Sequence, residues 1–384
     1  MRILLFTGKG GVGKTTAAAA TATLAAGRGL KTLVVSTDTA HSLADALGVE
    51  PGPEPVEVMP GLHLHQVDTQ ASMEAHWGEL QGYLRDLLGE LGLDVMTSEE
   101  ITVLPGAEEV IALLELRQQA QAGRWDLIVV DCAPTAETLR LLALPEALDW
   151  HVTRLLPVGR RIMKVAGPFV KSMARVSAPG DDVLNAGERL HRALKEVREL
   201  LTGPGASVRL VFTPESVVLA EARRTLTSLN LYGYRVDAAV ANRVFPAEGA
   251  DDWRAQWVAA QTRLLAEAEE SFAPLPIHVV PYLPAEPVGP ETLAEVGEAL
   301  YAGVADPFAP PGVEPPLTVE GHMLRLSLPG ASKEDVDLAR KGEELIVTAG
   351  PYRRILALPA GLARRRIAAA ALQDGVLEVR FEHE

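Results

Sequence analysis

The stretch from Arg2 to Thr16 constrains this chain more than any other. Arg2-Ile3-Leu4-Leu5-Phe6-Thr7 is an apolar run too short for a helix and bounded by glycine, so it reads as a buried strand. Gly8-Lys9-Gly10-Gly11-Val12-Gly13-Lys14-Thr15-Thr16 follows, and Gly8 to Thr15 fits the phosphate-loop pattern GxxxxGK[ST]. Thr16 to Gly27 is Ala-rich and reads as a helix. Strand, glycine-rich turn and helix together are the context the pattern requires. Gly8, Gly10, Gly11 and Gly13, with Val12 between them, let backbone N–H groups turn inward around phosphates, and the helix N-terminus at Thr16 adds its positive dipole end. Lys14 is placed to reach β- and γ-phosphates, and the Thr15 hydroxyl to ligate Mg²⁺. Lys9 is a second lysine that a plain phosphate loop does not need.

Composition narrows what such a loop can serve. At 384 residues the chain is long enough for two or three domains, and 47% apolar content supports a large core. A net charge of −15 disfavours nonspecific nucleic-acid binding. The single cysteine, Cys132, excludes internal disulfides and an all-cysteine zinc site within one chain. It also fits a reducing, cytoplasmic setting. Met1-Arg2 leads straight into the first strand without a signal peptide. Nor does an uncharged apolar run approach the roughly 18 residues of a membrane span.

Lys31 to Asp38 reads as a second strand ending in an acidic residue. Asp38 at a strand's C-terminal end faces the ligand crevice of an open α/β sheet. It could position or deprotonate an attacking water, contact a ribose, or simply cap the next helix. Residues 50–60, rich in Pro, Gly and Glu, read as a surface loop, and Leu62–Val67 as an alternating strand. Its His63 and His65 share a face, a spacing read as a half-buried polar face before a metal pair. Residues 71–92 and 107–122 read as amphipathic helices. Trp125–Asp131 is an apolar strand ending in a carboxylate, the pattern of a strand whose Asp holds Mg²⁺ directly or through water. The small, hydroxyl-rich run Cys132–Leu142 after it can sense a γ-phosphate.

Pro145 to Leu201 is helical with breaks at Pro157, Gly167-Pro168 and Pro179-Gly180. Its apolar faces, interleaved with Arg and Lys, read either as core helices with a solvated basic side or as a surface for an apolar client. Strand–helix alternation then resumes through residue 302, with strands at Val208–Phe212, Val236–Ala241 and Ile277–Val280. Alternation over this length predicts a parallel sheet covered on both faces, with ligands at the C-terminal strand ends. Asn242 and Pro281 stand at such ends and are candidates for an adenine pocket. Residues 304–316 form a Pro-rich linker. Beyond it, six short strand-like runs separated by turns predict a small β-sandwich over 317–384. From 315 onward ten basic residues balance ten acidic ones, so the −15 belongs to the part before.

These residues carry a resemblance. The loop with both Lys9 and Lys14 is similar to that of the SIMIBI class of P-loop ATPases. Asp38-Thr39-Ala40-His41-Ser42-Leu43 resembles the switch I motif DPAHSL of the arsenite-pump (ArsA) and guided-entry tail-anchored-protein ATPases, and Asp131 to Arg140 resembles their switch II signature DTAPTGHTLR. Thr213-Pro214-Glu215, with Glu221, Arg223 and Arg224, and Asn242-Arg243 are also similar to that family. Leu328-Pro329-Gly330, Lys333–Val336 and Leu372–Val379 resemble the α-crystallin domain of small heat-shock proteins.

The resemblance implies an α/β, doubly wound, mostly parallel P-loop sheet over 1–303, with a helical insertion within about 69–122 and 145–203, followed by the all-β sandwich. It implies an ATPase using ATP and Mg²⁺. Lys9 would contact the nucleotide of the opposite subunit, Lys14 the phosphates in its own loop, and Asp38 would orient the attacking water. Asp131 and Thr15 would serve the Mg²⁺ shell, and Asn242 would read adenine. A single phosphate loop implies a homodimer. Its partner would be an apolar, tail-anchored-like protein client or, alternatively, a membrane pump. A slow nucleotide-gated scaffold is a third reading. The chain departs from the family at Thr39, Cys132, Ala136 and Glu137, which places fast hydrolysis in question. It also lacks both the arsenite-binding cysteines and the CxxC that clamps guided-entry dimers through zinc.

Overall fold

Strand β1 (Arg2–Thr7) lies in the middle of an eight-stranded sheet, parallel to β5 (Leu127–Asp131) on one side and to β6 (Ala206–Phe212) on the other. The fold is seen in a computed structural model and is described for residues 1–37, 42–67, 107–132 and 181–383. Asp38 to His41, the helix expected at 71–92, the run from Ala133 to Leu142 and the Pro- and Gly-broken segment before 181 lie outside the described residues.

The remaining strands of this sheet are β2 (Thr32–Ser36), β3 (Val56–Met59), β4 (Leu62–Gln66), β7 (Val236–Val244) and β8 (Ile277–Pro281). Their order is β3-β4-β2-β5-β1-β6-β7-β8, and every pairing is parallel except β3 with β4. The central strands are mostly apolar because both faces are covered; every residue of β2, β5 and β6 is buried. β3 corrects the reading of 50–60 as loop throughout. Its four residues form an edge strand with an irregular register against β4, too short for alternation to show. β7 also runs past its expected end at Ala241, so Asn242 is a strand residue.

Helix α1 (Lys14–Gly27) explains its own alanines. It packs between the sheet and a later helix, and Ala17 to Ala26 are all buried. A Cβ at Gly297 of that later helix would stand 2.7 Å from the Ala20 carbonyl and 2.9 Å from Leu24 Cβ, a closeness larger residues forbid. Among the described residues the intervening helices are α2 (Ser42–Leu47), α3 (Ala107–Gln121), α4 (Asp181–Thr202), α5 (Ser216–Tyr232) and α6 (Asp252–Phe272), and the one bearing Gly297 is α7 (Pro290–Leu300).

The chain divides into two compact units. One holds 1–66, 119–135 and 200–384, and the other 67–118 and 136–199. Within the second, Arg117 Nε donates to Glu196 Oε2 at 2.7 Å.

In the first unit a buried polar chain ties the start of the linker to the sheet. Arg2 donates to Ser207 Oγ at 2.5 Å and Asp237 Oδ2 at 2.9 Å. Arg209 donates to the Tyr301 hydroxyl at 2.5 Å and to the Pro307 carbonyl. Thr21 donates to Ala17 O at 2.6 Å, which leaves its oxygen to accept from the Tyr301 hydroxyl, also 2.6 Å away. Burial lowers the Arg2 guanidinium to about 10 despite the opposing pull of Asp237, so it stays charged.

From residue 317 the chain forms two antiparallel sheets. The first has the order β14 (Arg366–Gln373), β15 (Val376–Glu382), β10 (Met323–Ser327), β9 (Leu317–Glu320). The second has β11 (Val336–Lys341), β12 (Glu344–Ala349), β13 (Tyr352–Ala357). A short helix, α8 (Ala360–Ala363), precedes β14. Leu324, Leu326, Leu345, Val347, Leu377, Val379 and Phe381 form their common core. β11 is a seventh strand beyond the six expected. Its alternation half-buries Val336, Leu338 and Arg340 and exposes Asp337, Ala339 and Lys341, so none of its residues is fully buried.

Helix α5 closes this core. Leu231, fully buried, belongs to the sandwich cluster, where such burial contributes about 2 kcal/mol. Asn230 Nδ2 donates to Ser327 Oγ at 3.2 Å, and Arg354 of β13 donates to the Leu231 carbonyl. The helix ends at Gly233, whose left-handed φ of 93° closes the last turn and disfavours a side chain there; a Cβ would stand 3.3 Å from Arg354 Nη1, close enough to nudge it.

Candidate functional site

The turn after β1 is built on glycine for reasons visible atom by atom. Gly8 has φ 153°, and a Cβ there would sit 2.1 Å from the Val211 carbonyl oxygen of β6. Gly11 and Gly13 have φ 80° and 92°. Gly13 is the N-cap of α1 with no side chain to satisfy the first N–H groups, the donors that a helix N-terminus offers to an anion. Lys14 is buried, and its ammonium reaches back to the Lys9 carbonyl at 3.5 Å, across the loop. Lys9 points outward, and its Nζ is 3.4 Å from Glu221 Oε2 of α5.

Of the other expected residues, Asp131 stands at the end of the strand beside β1 and Asn242 contacts the loop. Asp131 closes β5 opposite Phe6 and Ser36 and is 1% exposed. Both the N–H and the hydroxyl of Thr37 donate to its carbonyl, at 3.1 and 3.3 Å, fixing the last described residue before Asp38 against the Asp131 backbone. Thr15 Oγ1 lies 3.5 Å from Ser42 Oγ, the first residue of α2. Burial, followed by the Asp131 carboxylate, pushes the Cys132 thiol up to about 12, so it stays neutral. The Asp131 carboxylate and the Thr15 hydroxyl offer hard oxygen donors, the kind Mg²⁺ prefers over sulfur.

Asn242 reaches the loop from β7. Its Nδ2 donates to the Val12 carbonyl at 2.8 Å, and a Cβ on Gly13 would collide with it at 2.1 Å. The side chain thus grips the loop directly, a contact its position at a strand end did not disclose. Pro281 ends β8 opposite Val244, and the next residue, Tyr282, donates its N–H to the Val244 carbonyl at 2.8 Å. Tyr282 stacks on Phe245 with ring centroids 4.9 Å apart and planes 8° from parallel.

Thr213 Oγ1 donates to Glu215 Oε1 at 3.0 Å just ahead of α5. Glu221 is the residue sequence reasoning left without a role. Only its place in the run Thr213–Arg224 marked it, and its pairing with Lys9 spans 212 positions, beyond any local pattern. His63 packs on the Trp125 ring at 5.0 Å, and His65 is buried. Among the described residues no group of three or more His, Cys, Asp or Glu is placed to hold a metal. Among them, too, no helix is long and apolar enough to cross a membrane.

Comparison with known proteins matches residues 1–302 to the anion-transporting ATPases of the ArsA type, and residues 320–381 to the HSP20-like domain found in ArsA. A putative arsenical pump-driving ATPase of Chlorobaculum tepidum is 35% identical over 100% of this chain and 96% of its own length. One from Aquifex aeolicus is 34% identical over 94% of each. An uncharacterized protein of Streptomyces coelicolor is 39% identical over 99% of this chain and 97% of its own length. The mostly parallel sheet, the glycine-built phosphate loop and these matches agree: the chain belongs to the ArsA family of anion-transporting ATPases and carries that family's HSP20-like domain at its C-terminal end.

Proposed function

We propose that this ATPase works as a homodimer whose opening and closing, driven by ATP binding and hydrolysis, governs the handling of an apolar, tail-anchored-like protein client. The observation that carries the reading is Lys9, a second lysine at the rim of the loop with its side chain 38% exposed, on a chain with one such loop. A partly exposed cation beside a phosphate site is available to a second subunit's nucleotide. Gly8 to Thr16 cradle the phosphates through backbone N–H groups, and Lys14 neutralises them. Asp38 orients the attacking water, and Asn242 and Pro281 line the adenine side. Thr15 and Asp131 would hold Mg²⁺, which when bound screens the phosphate charge. The HSP20-like domain, of a kind similar to small heat-shock proteins, supports protein handling over ion pumping.

The test is light scattering of the purified protein with a tail-anchored peptide, with ATP, with ADP and without nucleotide. A dimer forming a complex whose amount follows the nucleotide is expected; a complex indifferent to nucleotide would sink the reading. The names of the relatives favour a second reading, a subunit that drives an arsenical pump. It predicts ATP turnover stimulated by arsenite. A single cysteine gives a thiophilic metalloid little to bind within one chain.

A further inference from the structure

Helix α5 touches the phosphate loop near one end and the sandwich at the other. Glu221, in its second turn, pairs with Lys9 at 3.4 Å. Its last two turns hold the sandwich: Thr227 Oγ1 is 2.5 Å from the Pro329 carbonyl, Asn230 donates to Ser327, and Leu231 is part of the sandwich core. A helix that supplies a core residue cannot shift without shifting what it supplies. At 1.5 Å per residue the distance from Glu221 to Leu231 is about 15 Å, short enough for a helix to act as one rigid piece.

We infer that α5 couples the phosphate loop to the docking of the HSP20-like domain, with the Lys9–Glu221 pair as the sensing contact. The inference rests on the proposed reading that each loop of a dimer holds nucleotide and that Lys9 reaches the nucleotide of the partner subunit. In the proposed dimer the phosphates of the partner subunit's nucleotide bring negative charge to the same ammonium that Glu221 holds. Both partners are partly exposed, at 38% and 40%, and a pair of this kind is weak enough for a polyanion to displace. Once Lys9 turns to phosphate, Glu221 loses its partner on the loop and α5 loses that restraint. The turn Pro329-Gly330 leaves room for the consequence. A cleft of about 460 Å³ lies between it and Arg223, Leu226, Glu270 and Ser271 of α5 and α6, so this turn can follow a shift of α5 without pressing on α6. Reciprocity requires the converse: how firmly the sandwich grips α5 changes the affinity of the loop for nucleotide.

Hydrogen–deuterium exchange of the full chain tests this, with and without a non-hydrolysable ATP analogue and Mg²⁺, alongside titration of a fluorescent ATP analogue. Exchange across 226–233 and 327–330 is expected to change by about twofold or more on binding. Glu221→Gln is expected to show the nucleotide-bound pattern without nucleotide and to bind the analogue about two- to fivefold more tightly. Asn230→Ala, on the sandwich side of the helix, is expected to change analogue affinity in the same direction. Analogue bound with unchanged exchange in both segments, or Glu221→Gln behaving as the wild type, would overturn the coupling and leave the nucleotide reading standing. No binding of the analogue at all would overturn both.

Discussion

Asn242 Nδ2 donates to the carbonyl of Val12 at 2.8 Å, so the end of β7 holds the phosphate loop from outside. The acceptor is the residue just before the N-cap Gly13, and the loop's curvature there depends on a bond from a strand more than two hundred residues away. Replacing Asn242 by Asp turns a donor into an acceptor facing that carbonyl; replacing it by Ala removes the bond. Each is expected to cost about 1–2 kcal/mol of nucleotide binding, roughly a tenfold rise in Kd, with Asp the worse of the two. Titration with a fluorescent ATP analogue checks this, with circular dichroism to show that the fold is kept.

The glycines of the loop are not equivalent. An alanine at Gly8 would press its Cβ to within 2.1 Å of the Val211 backbone, at a φ that disfavours any side chain, and β6 is a central strand that cannot yield. Gly8→Ala is expected to lose about 1–3 kcal/mol of stability. Gly10 has nothing within 4 Å of an added Cβ and an ordinary backbone, so Gly10→Ala is expected to stay within about 0.5 kcal/mol of the wild type. Urea unfolding of the two variants side by side separates them, and equal losses would refute the steric account.

These contacts mark how far the sequence could be read. The central strands, the phosphate turn and α1 were legible because each is a local pattern: an apolar run, glycines at fixed offsets, alanines at half of the helix positions. The sandwich was legible through alternation such as Leu377, Val379 and Phe381 buried in β15. What escaped was short or distant. β3 is four residues at an edge, and β11 alternates charge with half-buried residues, so neither burial pattern reaches the strength of a signal. The Lys9–Glu221 pair, the Asn242 grip and the seat of Leu231 in the sandwich join residues that only the sheet order brings together. Asp38, the residue on which hydrolysis turns in the sequence reading, lies just beyond Thr37, outside the described residues.

Tyr301 illustrates a polar group whose removal costs more than its bond. Its hydroxyl accepts from Arg209 at 2.5 Å and donates toward Thr21 at 2.6 Å, all three being buried. Tyr301→Phe strips Arg209 of that acceptor while leaving its charge inside the protein. The expected loss is about 1–3 kcal/mol in urea unfolding, and nucleotide binding is expected to be unaffected. Combining Tyr301→Phe with Thr21→Val is expected to cost less than the sum of the two, since both act on one chain of bonds.

His278, in β8, carries the pH dependence of the same region. Burial lowers its pKa below the ordinary 6.5, the nearby Arg209 lowers it further, and Asp237 opposes them. Its ring lies 5.6 Å from that of Tyr301, edge-on. In the folded protein the imidazole is therefore neutral at pH values where the unfolded chain already binds a proton. Between the folded pKa and 6.5 the unfolded state holds more protons, so stability rises with pH across that window. The contribution is complete above about pH 6.5 and is lost as pH falls toward the folded value. His278→Gln removes the titration while keeping a polar side chain. Urea unfolding at about pH 5 and about pH 7.5 is expected to show the wild type losing more stability than the variant on acidification. Equal losses would mean that the other carboxylates and histidines account for the whole slope, and that His278 protonates as readily in the folded chain as in the unfolded one.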